Sequence, residues 1–262
     1  MITKEQRLAL SSKGYDVAFE RNGRIFAVKT NAINNWTEEK KAEFSQETGL
    51  HYVFLNNEWV FYNPKQYCIV DDFLRYIGTD EKPEQPINYT NYTCLFHSCK
   101  AKSLDLSHWD VSNVSVFKYL FYNCSNLKFL DVSQWDVSNV KFFSATFCGC
   151  KSLRSLPIET WDVSNGQEFT KMFCECRSLQ SLDVSNWEVN QYAYFEKMFF
   201  GCTKLQSLDL SKWCVNRGTH FAKMFSDSGL EKHYGKSSNQ LARMLKQGEW
   251  ANIEMSQADE GL

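Results

Sequence analysis

Cysteines are the residues of this chain whose spacing first suggests chemistry. Two Cys-x-Cys pairs, Cys148/Cys150 and Cys174/Cys176, are separated by a 26-residue interval, and four thiolates brought together form a zinc-binding set. Residues two apart on a helix point in different directions, however, so both members of a pair do not face the same site. The sequence contains no Cys-x-x-Cys knuckle. We therefore expect no metal and no other cofactor, with Cys150 and Cys176 in the core and Cys148 and Cys174 outside it.

Carboxylates also recur at this interval, at Asp110, Asp136, Asp162 and Glu188. Stacked like charges repel one another unless each carboxylate accepts local hydrogen bonds, which the N–H groups of an Asp-x-Ser turn supply. We interpret this column as turn capping, and cation binding is the alternative.

Catalytic groupings are not evident in the sequence. The five histidines share no spacing with a serine or cysteine that would form a nucleophilic triad. A Gly-rich phosphate-binding loop is not present either. We predict that the chain is not an enzyme.

A strict 26-residue repeat determines the elements that carry these groups. Four columns keep the period: Trp109, Trp135, Trp161, Trp187 and Trp213; Phe117, Phe143, Phe169, Phe195 and Phe221; Phe121, Phe147, Phe173, Phe199 and Phe225; and Cys124, Cys150, Cys176 and Cys202. A period of this length indicates a solenoid, in which each unit buries its apolar face only against its neighbours. The tryptophans and these cysteines are therefore predicted to face the core, although a tryptophan column that binds sugars or bases is the alternative.

Within one repeat, the apolar spacing predicts a short strand followed by a short helix. Leu130 and Val132 are two residues apart and point to one side of a strand. A turn follows at 136–139. Phe143, Phe147 and Cys150 then recur at three- and four-residue steps, as on an amphipathic helix.

The repeats resemble the BspA-like family of bacterial leucine-rich repeats in its 26-residue form. The resemblance is carried by L-D-L-S-H-W-D-V-S-N-V at 104–114, L-D-V-S-Q-W-D-V-S-N-V at 130–140 and the Met-Phe pairs at 172–173, 198–199 and 224–225. It implies an α/β solenoid: a five-coil, leucine-rich-repeat-like, right-handed superhelix. Because many members of that family are surface proteins, it also implies an alternative function as a fragment of a surface adhesin that binds host matrix or glycan.

The predicted organisation has three parts. Residues 1–86 form a small α+β domain or cap, with hairpins turning at Asn22-Gly23 and Asn56-Asn57, a helix at 37–47 and a short apolar helix at 71–77. Residues 87–228 hold the five repeats. Residues 229–262 hold a capping helix, which opens at 237–240, and a polar tail.

Composition narrows the partner and the compartment. The chain has 262 residues, is 43% hydrophobic and carries a formal charge of −2, whereas generic nucleic-acid binders are basic. No apolar run is long enough for a membrane span. Residues 1–6 do not read as a signal peptide, so we expect a cytoplasmic protein with reduced thiols, or a surface or secreted protein if an upstream signal has been trimmed.

Function is expected on the outward positions of the predicted strands. The chain should bind a protein partner there as a non-catalytic recognition module. One hypothesis is that it is a phage or mobile-element inhibitor of a host defence complex. The candidate binding residues are Asp105, His108, Phe129, Asp131, Pro157, Glu159, Asp183, Asp209 and Lys212. A basic column on the helical side, at Lys171, Lys197 and Lys223, is the alternative surface.

Overall fold

The computed structural model divides the chain into two compact units. The first contains residues 1–67 and 84–89, and the second contains residues 68–83 and 90–262. The structure describes residues 9, 13, 17–21, 24–28, 30–55, 58–71, 73–78, 82–87, 89–216 and 219–250.

The first unit combines two hairpins with two helices. Strand β1 (Val17–Arg21) pairs antiparallel with β2 (Arg24–Val28), and β3 (His51–Leu55) pairs antiparallel with β4 (Glu58–Tyr62). Helices α1 (Thr30–Ile33) and α2 (Glu38–Thr48) lie between the hairpins in the chain. Both predicted hairpins are therefore present, and their turn residues Asn22-Gly23 and Asn56-Asn57 lie outside the described residues.

Helix α2 has the ends that its sequence predicts. The Thr37 hydroxyl accepts a hydrogen bond from the Lys40 N–H at the first turn, and Gly49 ends the helix in the left-handed region. The helix packs on a core formed by Ile33, Leu50, Phe61 and Ile87, with Trp36, Phe44, Tyr52 and Trp59 around it. The aromatic rings of this core meet mainly edge to face.

The short apolar helix predicted at 71–77 is wrong. The chain instead forms β5 (Tyr67–Val70) and β6 (Phe73–Tyr76), which pair with each other. Leu74 and Tyr76 are buried, whereas Phe73 and Arg75 are half-exposed, and this period of two is that of a strand. Asp71 takes a positive φ of 49° at the bend between the strands, which is incompatible with a continuing helix.

The predicted fold class, an α/β solenoid with five leucine-rich-repeat-like coils in a right-handed superhelix, is also wrong. Among the described residues of 87–228 there is no helix. The only two strands in that range, β7 (Ser103–Asp105) and β8 (Phe129–Asp131), form a parallel pair of three residues each. No sheet runs through the repeats, because the described strands form only two-stranded pairs.

Backbone conformation explains why the predicted helices do not form. In the segment after each turn, residues four apart take positive φ, as at Tyr119 and Asn123 or Ala145 and Gly149, which interrupts α-helical hydrogen bonding. Alternate N–H groups donate only three residues back, as from Leu120 to the Phe117 carbonyl. The remaining N–H groups donate to the next repeat, from Phe117, Tyr119, Phe121 and Asn123 to the carbonyls of Phe142, Ser144, Thr146 and Cys148.

These hydrogen bonds stack the repeats in register along what we call the turn ladder. The turn ladder consists of residues 92–98, 117–123, 143–149, 169–175, 195–201 and 221–227, each joined to the next by four such bonds. Parallel bridges precede it, from Asn91 through Val116, Phe142, Glu168 and Tyr194 to His220. The repeats are thus held together by these backbone hydrogen bonds and bridges between residues 24 to 26 positions apart.

Aromatic columns fill the interior of the second unit, as predicted. The five repeat tryptophans are buried, and so are both phenylalanine columns. Phe121, Phe147, Phe173 and Phe199 stack nearly parallel at centroid distances of 5.4–5.6 Å. The indole N–H groups of Trp135, Trp161 and Trp187 donate to carbonyls of the preceding repeat, as from Trp135 to Leu106 at 2.8 Å. Among the described residues, the buried Trp213 Nε1–H has no such partner.

Two helices follow the last turn-ladder segment. Helix α3 (Gly229–Tyr234) buries Leu230 and Tyr234, and α4 (Ser238–Lys246) buries Leu241 and Leu245. Ser237 and Gln240 form a capping box, so α4 begins where the sequence predicts. None of the helices in the described part of the chain is long and apolar enough to span a membrane.

Candidate protein-binding face

The predicted binding residues come together on one side of the second unit, which we call the strand face. It contains the outward positions of β7 and β8 and the equivalent positions of later repeats: residues 103 and 105, 129 and 131, 155 and 157, 181 and 183, 207 and 209. Parallel register places Ser103 beside Phe129 and Asp105 beside Asp131. Neighbouring strands lie about 4.8 Å apart, so these pairs are direct neighbours.

Each aspartate of the strand face is held by its own turn. Oδ1 of Asp105, Asp131, Asp183 and Asp209 accepts a hydrogen bond from the backbone N–H two residues later, at 2.9–3.2 Å. The Ser185 hydroxyl donates to Asp183 as well, and this bond is the main reason that the pKa of Asp183 lies below its usual range. The turn hydrogen bonds therefore fix these carboxylates in position on the strand face.

Asp105 differs from the other three because it has an ion-pair partner. The Lys82 ammonium contacts its Oδ2. Hydrogen bonds from Lys82 and then from Ser107 lower the pKa of Asp105 to about 2. Within the described residues, no cation forms an ion pair with Asp131, Asp183 or Asp209. Lys82 thus neutralises one of the four aspartates of the strand face, the one in β7.

Phe129 is the large apolar group of this face. Its side chain is 70% exposed, although it lies in β8 between the buried Leu127 and Leu130. The equivalent residues of the other repeats are all serine: Ser103, Ser155, Ser181 and Ser207. A phenylalanine is therefore not required at this position by the packing of the repeat.

A shallow depression of about 380 Å³ lies further along the strand face. Its lining is formed by Ser155, Leu156, Ser181, Leu182, Asp183, Ser207, Leu208 and Asp209. The polar groups of this lining are two carboxylates and three hydroxyls, and no cationic side chain belongs to it. Such a surface attracts ammonium and guanidinium groups.

The remaining predicted residues contribute less directly. His108 and Glu159 are exposed, and Pro157 is half-buried in the column that carries the aspartates. Lys212 donates to the side-chain oxygen of Asn186, one repeat earlier, at 2.8 Å. Its charge is thereby held near Asp183, where it lowers the pKa of that carboxyl further.

Sequence reasoning missed three exposed tyrosines in the segments that contain the parallel bridges and the turn ladder. These are Tyr119, Tyr192 and Tyr194, of which Tyr192 is 69% exposed. Tyr194 lies in the chain of parallel bridges and stacks on His220 with ring centroids 5.0 Å apart. A variable column could have indicated this site, because Val116, Phe142, Glu168, Tyr194 and His220 share one register without sharing a type.

The two sequence columns first considered for metal chemistry have local structural partners. Asp110, Asp136 and Asp162 each accept the predicted N–H bond from the serine two residues later, at 3.0 Å. The buried thiols of Cys124, Cys150, Cys176 and Cys202 donate to carbonyls of the preceding repeat. Across the described residues, no three His, Cys, Asp or Glu side chains are grouped as a metal site would require.

A chain whose second unit stacks 26-residue segments in register is a repeat protein. It matches the family described as "Mycoplasma protein of unknown function, DUF285" over residues 87–130 and 117–239. Together these matches span more than half of the chain, so the chain belongs to this family. A search of curated proteins and a search of solved structures each returned no match.

Proposed function

We propose that this chain is a non-catalytic recognition module that binds a protein partner through the strand face. The observation that carries the proposal is Phe129, a large apolar side chain 70% exposed on a hydrogen-bonded strand pair. Packing does not require an aromatic residue at position 129. An aromatic side chain that is nevertheless present and exposed there is typical of an interface anchor.

Charge favours a partner with a basic segment. Asp131 lies two residues after Phe129 in β8, and the depression that contains Asp183 and Asp209 lies in later repeats of the same face. Because local turns fix these carboxylates, little side-chain entropy is lost when a cation approaches them. The same charges repel a nucleic-acid backbone, which favours protein as the class of partner.

The backbone of the second unit, which carries the strand face, is suited to recognition without rearrangement. Four hydrogen bonds join successive turn-ladder segments, and the parallel pair of β7 and β8 adds a direct link between two repeats. A rigid surface of this kind presents its side chains in one arrangement, so the cost of ordering them on binding is small.

The test compares two exposed aromatic residues of nearly equal accessibility. A partner is first captured from the native host and identified, and its affinity is then measured by calorimetry for the wild type, Phe129→Ala and Tyr192→Ala. Phe129→Ala should weaken binding by about 1–3 kcal/mol, because an interface anchor loses its buried area. Tyr192→Ala, which lies outside the strand face, should bind as the wild type does.

A third variant examines the charge contribution. Asp131→Lys should slow association and reduce its dependence on salt, since steering by fixed charges acts on the on-rate. Normal binding by the double variant Phe129→Ala/Asp131→Lys would exclude the strand face. Loss of binding in Tyr192→Ala alone would instead place the partner at Tyr192.

A further inference from the structure

Cys148 and Cys174, which the sequence predicts to lie outside the core, are instead buried together in a small cluster of their own. They lie side by side on adjacent segments of the turn ladder. The Asn123 N–H donates to the Cys148 carbonyl at 2.7 Å, and the Gly149 N–H donates to the Cys174 carbonyl at 2.8 Å. Cys148 and Cys174 therefore hold the same position in consecutive repeats. Backbones paired in this way are about 4.8 Å apart, which lies within the range of about 4.4–6.8 Å between Cα atoms that a disulfide spans.

Their surroundings differ from those of the core cysteines. Cys148 and Cys174 belong to a small cluster with Ala145, against which Tyr122 and Phe200 pack. They retain 8% and 7% of their exposure, whereas Cys150 and Cys176 have none. The Cys150 and Cys176 thiols are also engaged, since their Sγ atoms donate to the carbonyls of Phe121 and Phe147. The Cys150 and Cys176 thiols are thus fully enclosed, whereas the buried Cys148 and Cys174 retain a small exposed fraction.

Electrostatics distinguish the Cys148 and Cys174 thiols. The largest effect on Cys174 is a hydrogen bond from the Cys148 thiol to its sulfur, which lowers the pKa of Cys174. Burial and the Glu175 carboxylate raise that pKa, and the Lys171 and Lys197 ammonium groups lower it. The same hydrogen bond, together with burial, raises the pKa of Cys148. Cys174 is thus the better nucleophile of the pair, because the thiolate is the reactive form.

We propose that Cys148 and Cys174 form a redox-active dithiol that a low-molecular-weight disulfide oxidises to an intramolecular disulfide. The Cys174 thiolate attacks one sulfur of the small disulfide, forming a mixed disulfide and releasing one small thiolate. That thiolate takes the proton of Cys148. The Cys148 thiolate then attacks Sγ of Cys174 and releases the second small thiolate, which takes from water the proton that Cys174 lost on ionisation. The protein dithiol loses two electrons, and the small disulfide is reduced to two thiols.

The product links two consecutive repeats covalently through adjacent segments of the turn ladder. The link joins positions one repeat period apart and closes the chain between them into a loop. Closing a loop of this length restricts the unfolded chain more than the folded one, so the oxidised protein should unfold at a higher temperature than the reduced protein. This inference is independent of the proposed binding function.

The experiment uses the full chain with Cys214→Ser, since Cys214 is an exposed free thiol that would react by itself. The protein is incubated with oxidised glutathione, and its disulfides are located by peptide mass mapping. The expected product is a Cys148–Cys174 link, reversed by dithiothreitol. Cys148→Ser should stop the reaction at a glutathione adduct on Cys174, and Cys174→Ser should suppress both the adduct and the link.

Cys150→Ala and Cys176→Ala serve as matched controls, because they remove thiols from the same two repeats and leave Cys148 and Cys174 in place. Both should still form the Cys148–Cys174 link. Peptide mapping of the Cys214→Ser parent protein does not depend on the Cys148→Ser or Cys174→Ser variants. Its result therefore decides the proposal even if either of these variants fails to fold. A folded parent that shows no Cys148–Cys174 peptide after oxidation, or that links Cys150 to Cys176 instead, would overturn it.

Discussion

Trp135 combines two contacts that no smaller side chain can supply together. Trp135 stacks on Trp161 with ring centroids 6.2 Å apart and an interplanar angle of 4°. Its Nε1–H donates to the Leu106 carbonyl at 2.8 Å, which satisfies a buried donor with the backbone of the preceding repeat. The residue therefore links three consecutive repeats through one side chain.

Trp135→Ala should lower the free energy of unfolding by about 3–5 kcal/mol, because it opens a cavity and leaves the Leu106 carbonyl without its donor. Phe129→Ala, only six positions earlier, should change stability by less than about 0.5 kcal/mol, since its side chain is exposed. Urea denaturation of the two variants measures both values. Equal losses would contradict the assignment of one residue to the core and the other to the surface.

Asp105 provides a pH prediction at a single residue. Its folded pKa of about 2 lies below the ordinary value of 3.8, with the Lys82 contact as the first cause. A depressed pKa means that the carboxylate stabilises the fold above pH 3.8 and that this contribution is lost as pH falls from there to about 2. Carboxyl-carbon NMR should show Asp105 titrating near the lower value in the wild type.

Two variants separate the causes of that shift. Lys82→Met should raise the pKa of Asp105 substantially, and Ser107→Ala should raise it less, in the order of the two contributions. A larger effect of Ser107→Ala would mean that the turn, rather than the ion pair, sets the titration.

At the scale of the elements, sequence periodicity identifies which residues are buried more reliably than it identifies the conformation that buries them. Phe143, Phe147 and Cys150 are buried as their spacing predicts. The segment is nevertheless a series of turns, each closed by a hydrogen bond from an N–H to the carbonyl three residues back. Residues four apart reach the same side in both arrangements. The helix prediction therefore fails on the backbone while the core prediction holds.

One column contained a signal for the correct conformation. Asn123, Gly149, Glu175, Gly201 and Asp227 share a register, and all take positive φ. Gly, Asn and Asp are the residues that adopt the left-handed region most readily. Lys171, Lys197 and Lys223 take positive φ at the other left-handed position of their segments. Because lysine is not typical of the left-handed region, this second position gave no sequence signal.

Gly149→Ala tests this backbone at the position where it is most constrained. A Cβ at residue 149 would have φ near 79° and would meet Cα of Asn123 at 3.3 Å. We expect a loss of about 1–2 kcal/mol from the left-handed conformation, with a further loss from the contact. Gly235→Ala is the control, because its φ is also positive but nothing lies within 4 Å of the added atom. Thermal unfolding should show a smaller loss for Gly235→Ala, and equal losses would show that the inter-repeat contact relaxes without cost.

At the scale of the whole chain, the four columns of a 26-residue period predict that repeats stack in register, whereas the strand face depends on interruptions of the period. Phe129 and Pro157 could be selected from sequence because they depart from serine and aspartate. The partners of the charged side chains could not be predicted from sequence. Lys82 contacts Asp105 from outside the repeats, and Lys212 donates to Asn186. Lys82 lies before the repeats, and Lys212 occupies a register whose other members are not cationic at neutral pH, so the period predicts neither contact.

The C-terminal end of the stack depends on one residue beyond the repeats. Trp250 is buried, stacks on Phe225 at 5.4 Å and donates its Nε1–H to the Leu208 carbonyl at 2.8 Å. It thus adds a ring to the Phe121–Phe225 column, and its indole donates to a carbonyl of an earlier repeat as those of Trp135, Trp161 and Trp187 do. An end without this ring exposes the last aromatic layer to water, and stacked repeats are least stable where a neighbour is missing.

Trp250→Ala should therefore lower the free energy of unfolding by about 3–5 kcal/mol, and Trp250→Phe, which keeps a ring but removes the donor, by about 1–3 kcal/mol. Amide hydrogen exchange should locate the damage. N–H groups of the final links, at Phe195, Lys197, Phe199 and Gly201, should exchange faster in both variants. Those at Phe117, Tyr119 and Phe121, three segments away, should change only as far as global stability falls, because each segment is bonded to its immediate neighbours. Equal acceleration at both ends would show that the second unit opens only as a whole and that Trp250 is not a local cap.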